Sequence, residues 1–148
     1  MEYLKRAGVD AKLHEFEEHA TTVDDAIKLL GVRREIIIKS ILFIDDNGSP
    51  VLSIVTGDKR VSEKKLAAAC GSKKVRKANP HEVKEFTGYD VGGVPPVGHR
   101  RSIRIIIDEK VMRLGCVIGG GGETNALLEI DPTDIKRLTD CEVRDISE

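Results

Sequence analysis

The sequence predicts an α+β fold in a single domain spanning residues 1–148, with a mixed, mostly antiparallel curved sheet and short helices around it. Three observations lead there. Apolar runs of strand length are interleaved with short amphipathic segments that carry helix caps. An Asn47-Gly48 pair separates two of the apolar runs, which is a strong hairpin signal. With 3 Phe, 2 Tyr and no Trp in 148 residues, the core must be built from Ile, Val, Leu and Ala.

Taken in order, residues 1–8 read as a short helix closed by Gly8, and residues 12–17 alternate apolar and polar as a half-buried strand does. Thr22 caps a helix from Val23 to Leu30, with Asp24 and Asp25 in its first turn and Gly31 just past its end. Residues 35–44 form a strand that is apolar on both faces, so it is expected to be central and covered on both sides. The hairpin turn at Asp46-Asn47-Gly48 leads into a second strand, Val51 to Val55. Ser62 caps a helix that runs through Cys70 and ends at Gly71. Residues 74–77 are a short strand, and Asn79-Pro80 opens a helix ending at Thr87-Gly88. A strand at Ile103 to Ile107, a turn or short helix at residues 110–113 and a strand at Leu114 to Ile118 follow. Gly119 to Asn125 reads as a glycine-rich loop before the strand Ala126 to Ile130. A last helix starts at Asp131 and ends at Leu138, and residues 141–146 are extended.

Composition excludes several classes. With 24 basic and 25 acidic residues the net charge is −1, where a nonspecific binder of long duplexes is usually strongly basic. The basic residues do cluster, however, at residues 73–77 and 99–104, which suits a polyanion touching one side of the molecule. No apolar run reaches membrane-spanning length and the first residues are not a signal peptide, so a cytoplasmic protein with no membrane partner is expected. Cys70, Cys116 and Cys141 are odd in number and widely spaced, which fits reduced thiols; Cys70 and Cys116, in apolar surroundings, are expected to be packed. His14, His19, His81 and His99 show no metal-ligand spacing, so no metal is expected. No Gly-x-Ser-x-Gly elbow is present, and His99 is the one candidate base beside a glycine-rich segment. An enzyme of this composition works by positioning and main-chain electrostatics.

Two features stand out as candidate machinery. The stretch Tyr89 to Arg100 places three glycines and two prolines between Gly92 and Gly98, making a loop both permissive and stiff, able to hold main-chain N–H groups at fixed points. The bland alternative is a helix-to-strand turn. Lys39 interrupts the central strand on the face it shares with Ile37, Ile41 and Phe43. It either snorkels to the sheet edge or lines a pocket that takes an anion.

Together these features resemble the YbaK/ProX family of trans-editing aminoacyl-tRNA deacylases, related to the insertion domain of bacterial prolyl-tRNA synthetase. The resemblance runs from about Ala7 to Leu138. It is carried by Thr87-Gly88-Tyr89, by Gly92-Gly93-Val94-Pro95-Pro96-Val97-Gly98, by Lys39-Ser40 and by Gly57-Asp58. The chain departs from many relatives at Ile118, where they carry serine, at Pro95, and in the run Gly119 to Asn125. The resemblance implies hydrolysis of the ester of a mischarged tRNA, with alanyl- or cysteinyl-tRNA(Pro) as substrate and no cofactor. It implies Lys39 and Gly98 as catalytic residues. Ser40, Asp58, Gly92, Gly93, Pro96, Gly119, Gly120 and Asn125 are implied to bind substrate. The partners implied are the 3′-terminal adenosine and acceptor end of the tRNA, and prolyl-tRNA synthetase. The alternative is a noncatalytic module that binds the acceptor end or a synthetase.

Overall fold

Local chemistry fixes the ends of the elements, and the sheet then places them. The computed structural model describes Leu4 and residues 6–148; of the helix expected over residues 1–8, Met1, Glu2, Tyr3 and Lys5 lie outside the described residues. Four helices follow: α1 (Val23–Leu30), α2 (Glu63–Cys70), α3 (Pro80–Thr87) and α4 (Pro132–Thr139). Each begins on the cap that the sequence offers. The side chains of Thr22, Ser62, Asn79 and Asp131 accept a main-chain N–H from the first turn, worth about 1 kcal/mol apiece. Gly31, Gly71 and Gly88 end the first three in the left-handed conformation. The fourth ends on Asp140, at φ 52°, a conformation that aspartate tolerates better than most side chains. That helix therefore runs one residue beyond its expected end at Leu138.

The strands are β1 (Lys12–Glu15), β2 (Ile38–Asp45), β3 (Pro50–Thr56), β4 (Val75–Lys77), β5 (Arg104–Asp108), β6 (Val117–Gly120), β7 (Ala126–Ile130) and β8 (Glu142–Arg144). They form an antiparallel sheet in the order β1-β7-β6 and a second sheet in the order β4-β2-β3-β5-β8. In the second sheet β2 pairs antiparallel with β3 and β4, while β3–β5 and β5–β8 are parallel. A bridge between Ile37 and Ile118 joins the two sheets. The β2–β3 hairpin closes at Gly48, φ 79°, with the Asp45 carboxylate accepting the N–H groups of Asn47 and Ser49.

The central strand is covered on both sides, as its apolar run predicts. Ile38, Leu42 and Ile44 pack into the larger core with Leu52, Ile54 and Ile107. Phe43 faces the other way, with Val51, Val55 and the α2 residues Leu66 and Ala67. Three expectations need correction. The central strand begins at Ile38 because Arg34–Ile36 is a 3₁₀ turn. Gly119 and Gly120 belong to β6 rather than to a loop, because β6 packs closely against Ile38 and Val94 there. Cys116 is exposed, because it lies in the turn ahead of β6 where nothing covers it; Cys141 is the buried thiol.

At the far end of the sheet, Asp108 is fully buried. One carboxylate oxygen accepts the N–H groups of Ile146 at 2.9 Å and Ser147 at 3.1 Å. The other accepts the Lys110 N–H at 3.1 Å. These bonds pull the last residues against the core, where Ile146 is fully buried. Asp108→Asn puts an amide where only acceptors are wanted, so it should cost about 1–3 kcal/mol. The measurement is a urea titration, in which the midpoint falls and the slope is unchanged.

Candidate active site

The site starts from an unfinished sheet. β3 pairs with β2 along one edge from Ile38 to Ile44. On the other edge β4 pairs only with Phe43 to Asp45, and Ile37 bridges Ile118. Between these, the edge from Lys39 to Ile41 has no strand partner among the described residues. A cavity of about 570 Å³ opens on that gap. Its floor is Ile38 to Leu42, and its walls come from the start of α1, the Gly/Pro loop and β6. The volume suits a ligand larger than a free small amino acid, within the range of roughly 300–1,000 Å³ usual for small-molecule pockets. The wall is largely aliphatic, and among the described residues no carboxylate or imidazole lines it. Its polar side chains are the hydroxyls of Thr21, Thr22 and Ser40 and the ammonium groups of Lys39 and Lys77.

The two glycine-rich segments form one interlocked wall. A Cβ on Gly120 would sit 2.3 Å from the Val94 carbonyl oxygen, and one on Gly119 would sit 3.0 Å from Ile38. Only glycine lets β6 approach this closely, which is why both residues are in the strand. Gly122 N–H donates to the Gly93 carbonyl at 2.9 Å. Gly92, at φ 89°, lies against Thr21, where a Cβ would come within 2.6 Å of its side chain. Further anchors hold the loop from behind. The Tyr89 hydroxyl donates to the Gly98 carbonyl at 2.9 Å, and the Tyr89 ring lies against Gly122. His99 Nε2 lies 2.6 Å from the Pro95 carbonyl, an acceptor only, so that nitrogen carries the proton. Burial pushes the His99 pKa below the ordinary histidine value, against the opposing effect of that hydrogen bond.

Lys39 reaches the loop between β3 and α2, where its ammonium donates to the Lys59 carbonyl. Burial and the charge of Arg60 lower its pKa; Asp58 opposes them, and Arg34 and Lys77 add to the lowering. The group is thus a half-buried cation among cations, with an exposed aspartate as partial counterweight. An anion arriving there relieves the repulsion.

The structure brings Lys39, Ser40, Gly92, Gly119 and Gly120 together on the cavity wall. The other five lie outside the lining. Asp58 is beside Lys39 on the surface, while Gly93 and Pro96 are buried behind the wall. Gly98 is tied to Tyr89. Asn125 holds Phe16, its side-chain amide donating to the Phe16 carbonyl and its carbonyl accepting the Phe16 N–H, each at 2.8 Å. Thr124 adds a hydrogen bond between its hydroxyl and His19 Nδ1 at 2.8 Å. Residues 124–125 thereby hold the segment that delivers Ala20 and Thr21 to the cavity. Sequence reasoning missed Thr21, Lys77, Val91 and Val94 as wall residues, and read Thr22 only as a helix cap. Lys77 was visible as the end of a basic cluster. Val91 and Val94 lay inside the Gly/Pro stretch, and the 54% exposure of Val91 marks it among the described residues as a large apolar side chain left at the surface.

Two expected outcomes follow from this geometry. Gly120→Ala forces a Cβ onto a carbonyl and should destabilise the protein by about 1–3 kcal/mol, read as a lower Tm. His99 is favoured neutral by its folded environment, so the unfolded chain binds its proton first as pH falls. Its contribution is fully present above the unfolded value of about 6.5 and is lost as pH drops toward the lower folded value. Stability of the protein relative to His99→Gln, measured by urea unfolding, should therefore decline from pH 7 to pH 5.

Comparison with known proteins gives this wall its context. The profile of the aminoacyl-tRNA editing domain matches residues 17–138. A proline–tRNA ligase of Lactobacillus helveticus is 39% identical over 73% of this chain, which spans 19% of that enzyme. A candidate Cys-tRNA(Pro)/Cys-tRNA(Cys) deacylase of Enterococcus faecalis, EbsC, is 26% identical over 99% of this chain and 91% of its own length. A solved structure described as a candidate trans-editing enzyme for prolyl-tRNA synthetase superposes with a TM-score of 0.85. It is 33% identical and covers 93% of this chain and 87% of its own. With the profile covering most of the described chain, the protein belongs to the aminoacyl-tRNA editing domain family.

Proposed function

We propose that the protein is a trans-editing deacylase that hydrolyses the ester of alanyl- or cysteinyl-tRNA(Pro). The observation that carries this reading is the cavity itself: an open strand edge, a lysine among cations and a rigid glycine wall meet in one place within an editing domain. The size suits an aminoacyl-adenosine, and the aliphatic wall of Val94, Ile118 and Leu127 suits a small neutral side chain. The names of the relatives point to the proline system, and that of EbsC points to cysteine.

Hydrolysis forms a bond from water oxygen to the ester carbonyl carbon and breaks the bond from that carbon to the ribose 3′-oxygen, which leaves with a proton. With no carboxylate or imidazole on the wall among the described residues, the proton moves through the substrate's neighbouring 2′-hydroxyl and water. The protein contributes position and charge. Lys39 and Lys77 take the phosphate or ribose side of the terminal nucleotide, and Asp58 tempers the charge at Lys39. The Gly92–Gly98 main chain faces the developing oxyanion, with Gly92 at the wall and Gly98 fixing the loop through Tyr89. Prolyl-tRNA synthetase is the expected partner in supplying the substrate.

The test is single-turnover deacylation of alanyl- and cysteinyl-tRNA(Pro), with prolyl-tRNA(Pro) as control. Selective release of one mischarged amino acid is expected. Lys39→Ala, folded by circular dichroism, should slow it about 10- to 100-fold, the loss of one charge-assisted hydrogen bond. No acceleration by folded protein in excess leaves a noncatalytic acceptor-end binder as the better reading.

A further inference from the structure

Lys39 and Ser40 are adjacent in sequence, yet β-strand geometry sends their side chains to opposite faces. The same alternation governs the backbone. The Leu42 carbonyl accepts Ala78 N–H on the β4 side of β2, so the main-chain groups of Ser40, two residues earlier, point to that same side. Beside Ser40 that side has no strand among the described residues; it has the cavity. Ser40 Oγ is itself buried and, among the described residues, is the buried side-chain polar atom without a hydrogen-bond partner. Such an atom costs about 1–3 kcal/mol when nothing satisfies it. One donor and one acceptor thus face the cavity, the orphaned hydroxyl belongs to the same residue, and among the described residues the wall offers no carboxylate to hold an ammonium group.

We infer that the Ser40 edge of β2 recognises the main chain of the esterified amino acid, pairing with it as a neighbouring strand residue would. An aminoacyl ester carries an α-ammonium donor and a carbonyl acceptor spaced as in one residue of a strand. The two bonds of an antiparallel pair run from the α-ammonium to the Ser40 carbonyl and from Ser40 N–H to the ester carbonyl. Ser40 Oγ accepts a second ammonium hydrogen. Lys39, on the other face, addresses the nucleotide. The substrate straddles the strand edge, with its two halves read by consecutive residues. This rests on the deacylase reading for its ligand, and it adds that the α-amino group is a recognition element.

The probes are two stable amides of 3′-amino-3′-deoxyadenosine, one alanyl and one propionyl, which differ only in the α-amino group. Binding to the folded protein is followed by calorimetry, and the Ser40 amide by ¹⁵N–¹H NMR. The alanyl compound should bind about tenfold or more tightly than the propionyl one and shift the Ser40 amide resonance. Ser40→Ala should narrow that ratio. Equal affinity for the two compounds, binding without a shift at Ser40, or no binding of either would overturn the inference. Deacylation is scored separately. Alanyl-selective binding with a Ser40 shift but no turnover upholds the strand edge and removes the enzyme. Turnover with equal binding of the two probes does the reverse.

Discussion

The contact on which this site depends is backbone against backbone: β6 lies so close to the Gly/Pro loop that a Cβ at Gly120 would overlap the Val94 carbonyl. From that contact, Gly122 bonds Gly93 and Tyr89 spans both segments. Ile118, one residue before Gly119, bridges Ile37 and so joins the two sheets. A cavity wall built this way has few side-chain rotamers to fluctuate, so its shape is set by the chain path. That is the condition under which main-chain groups stabilise a developing charge without reorganising.

Much of this was legible in the sequence because it follows from local rules. Thr22, Ser62, Asn79 and Asp131 mark helix starts, and Asn47-Gly48 marks a hairpin, whatever the tertiary fold. Lys39 stood out because a charge broke an apolar face. What stayed hidden depends on partners distant in sequence. Gly119 and Gly120 look like loop residues until the approach of residues 93–94 explains them. Cys116 looks buried because its neighbours are apolar, yet its position ahead of β6 leaves it exposed. Thr21 and Val91 become wall residues only when α1 and the Gly/Pro loop close over β2. The run Glu123-Thr124-Asn125, a departure from many relatives, serves as a clamp on residues 16–20 through Thr124 and Asn125, and no local pattern announces that.

The open edge of β2 also bears on stability. An unpaired strand edge is a template for pairing with another chain, and folds usually cover or charge it. Here the edge lies on a cavity walled by the start of α1 and the Gly/Pro loop, which leaves little of it free for a second chain. The gap in pairing spans only Lys39 to Ile41, room for a single residue rather than a strand. On the proposed reading the feature that makes the edge safe would also make it selective. The gap matches one aminoacyl group rather than a peptide, and the neighbouring Lys39 would favour a ligand whose other end is a nucleotide. Folding economy and the proposed recognition would then rest on the same few peptide groups.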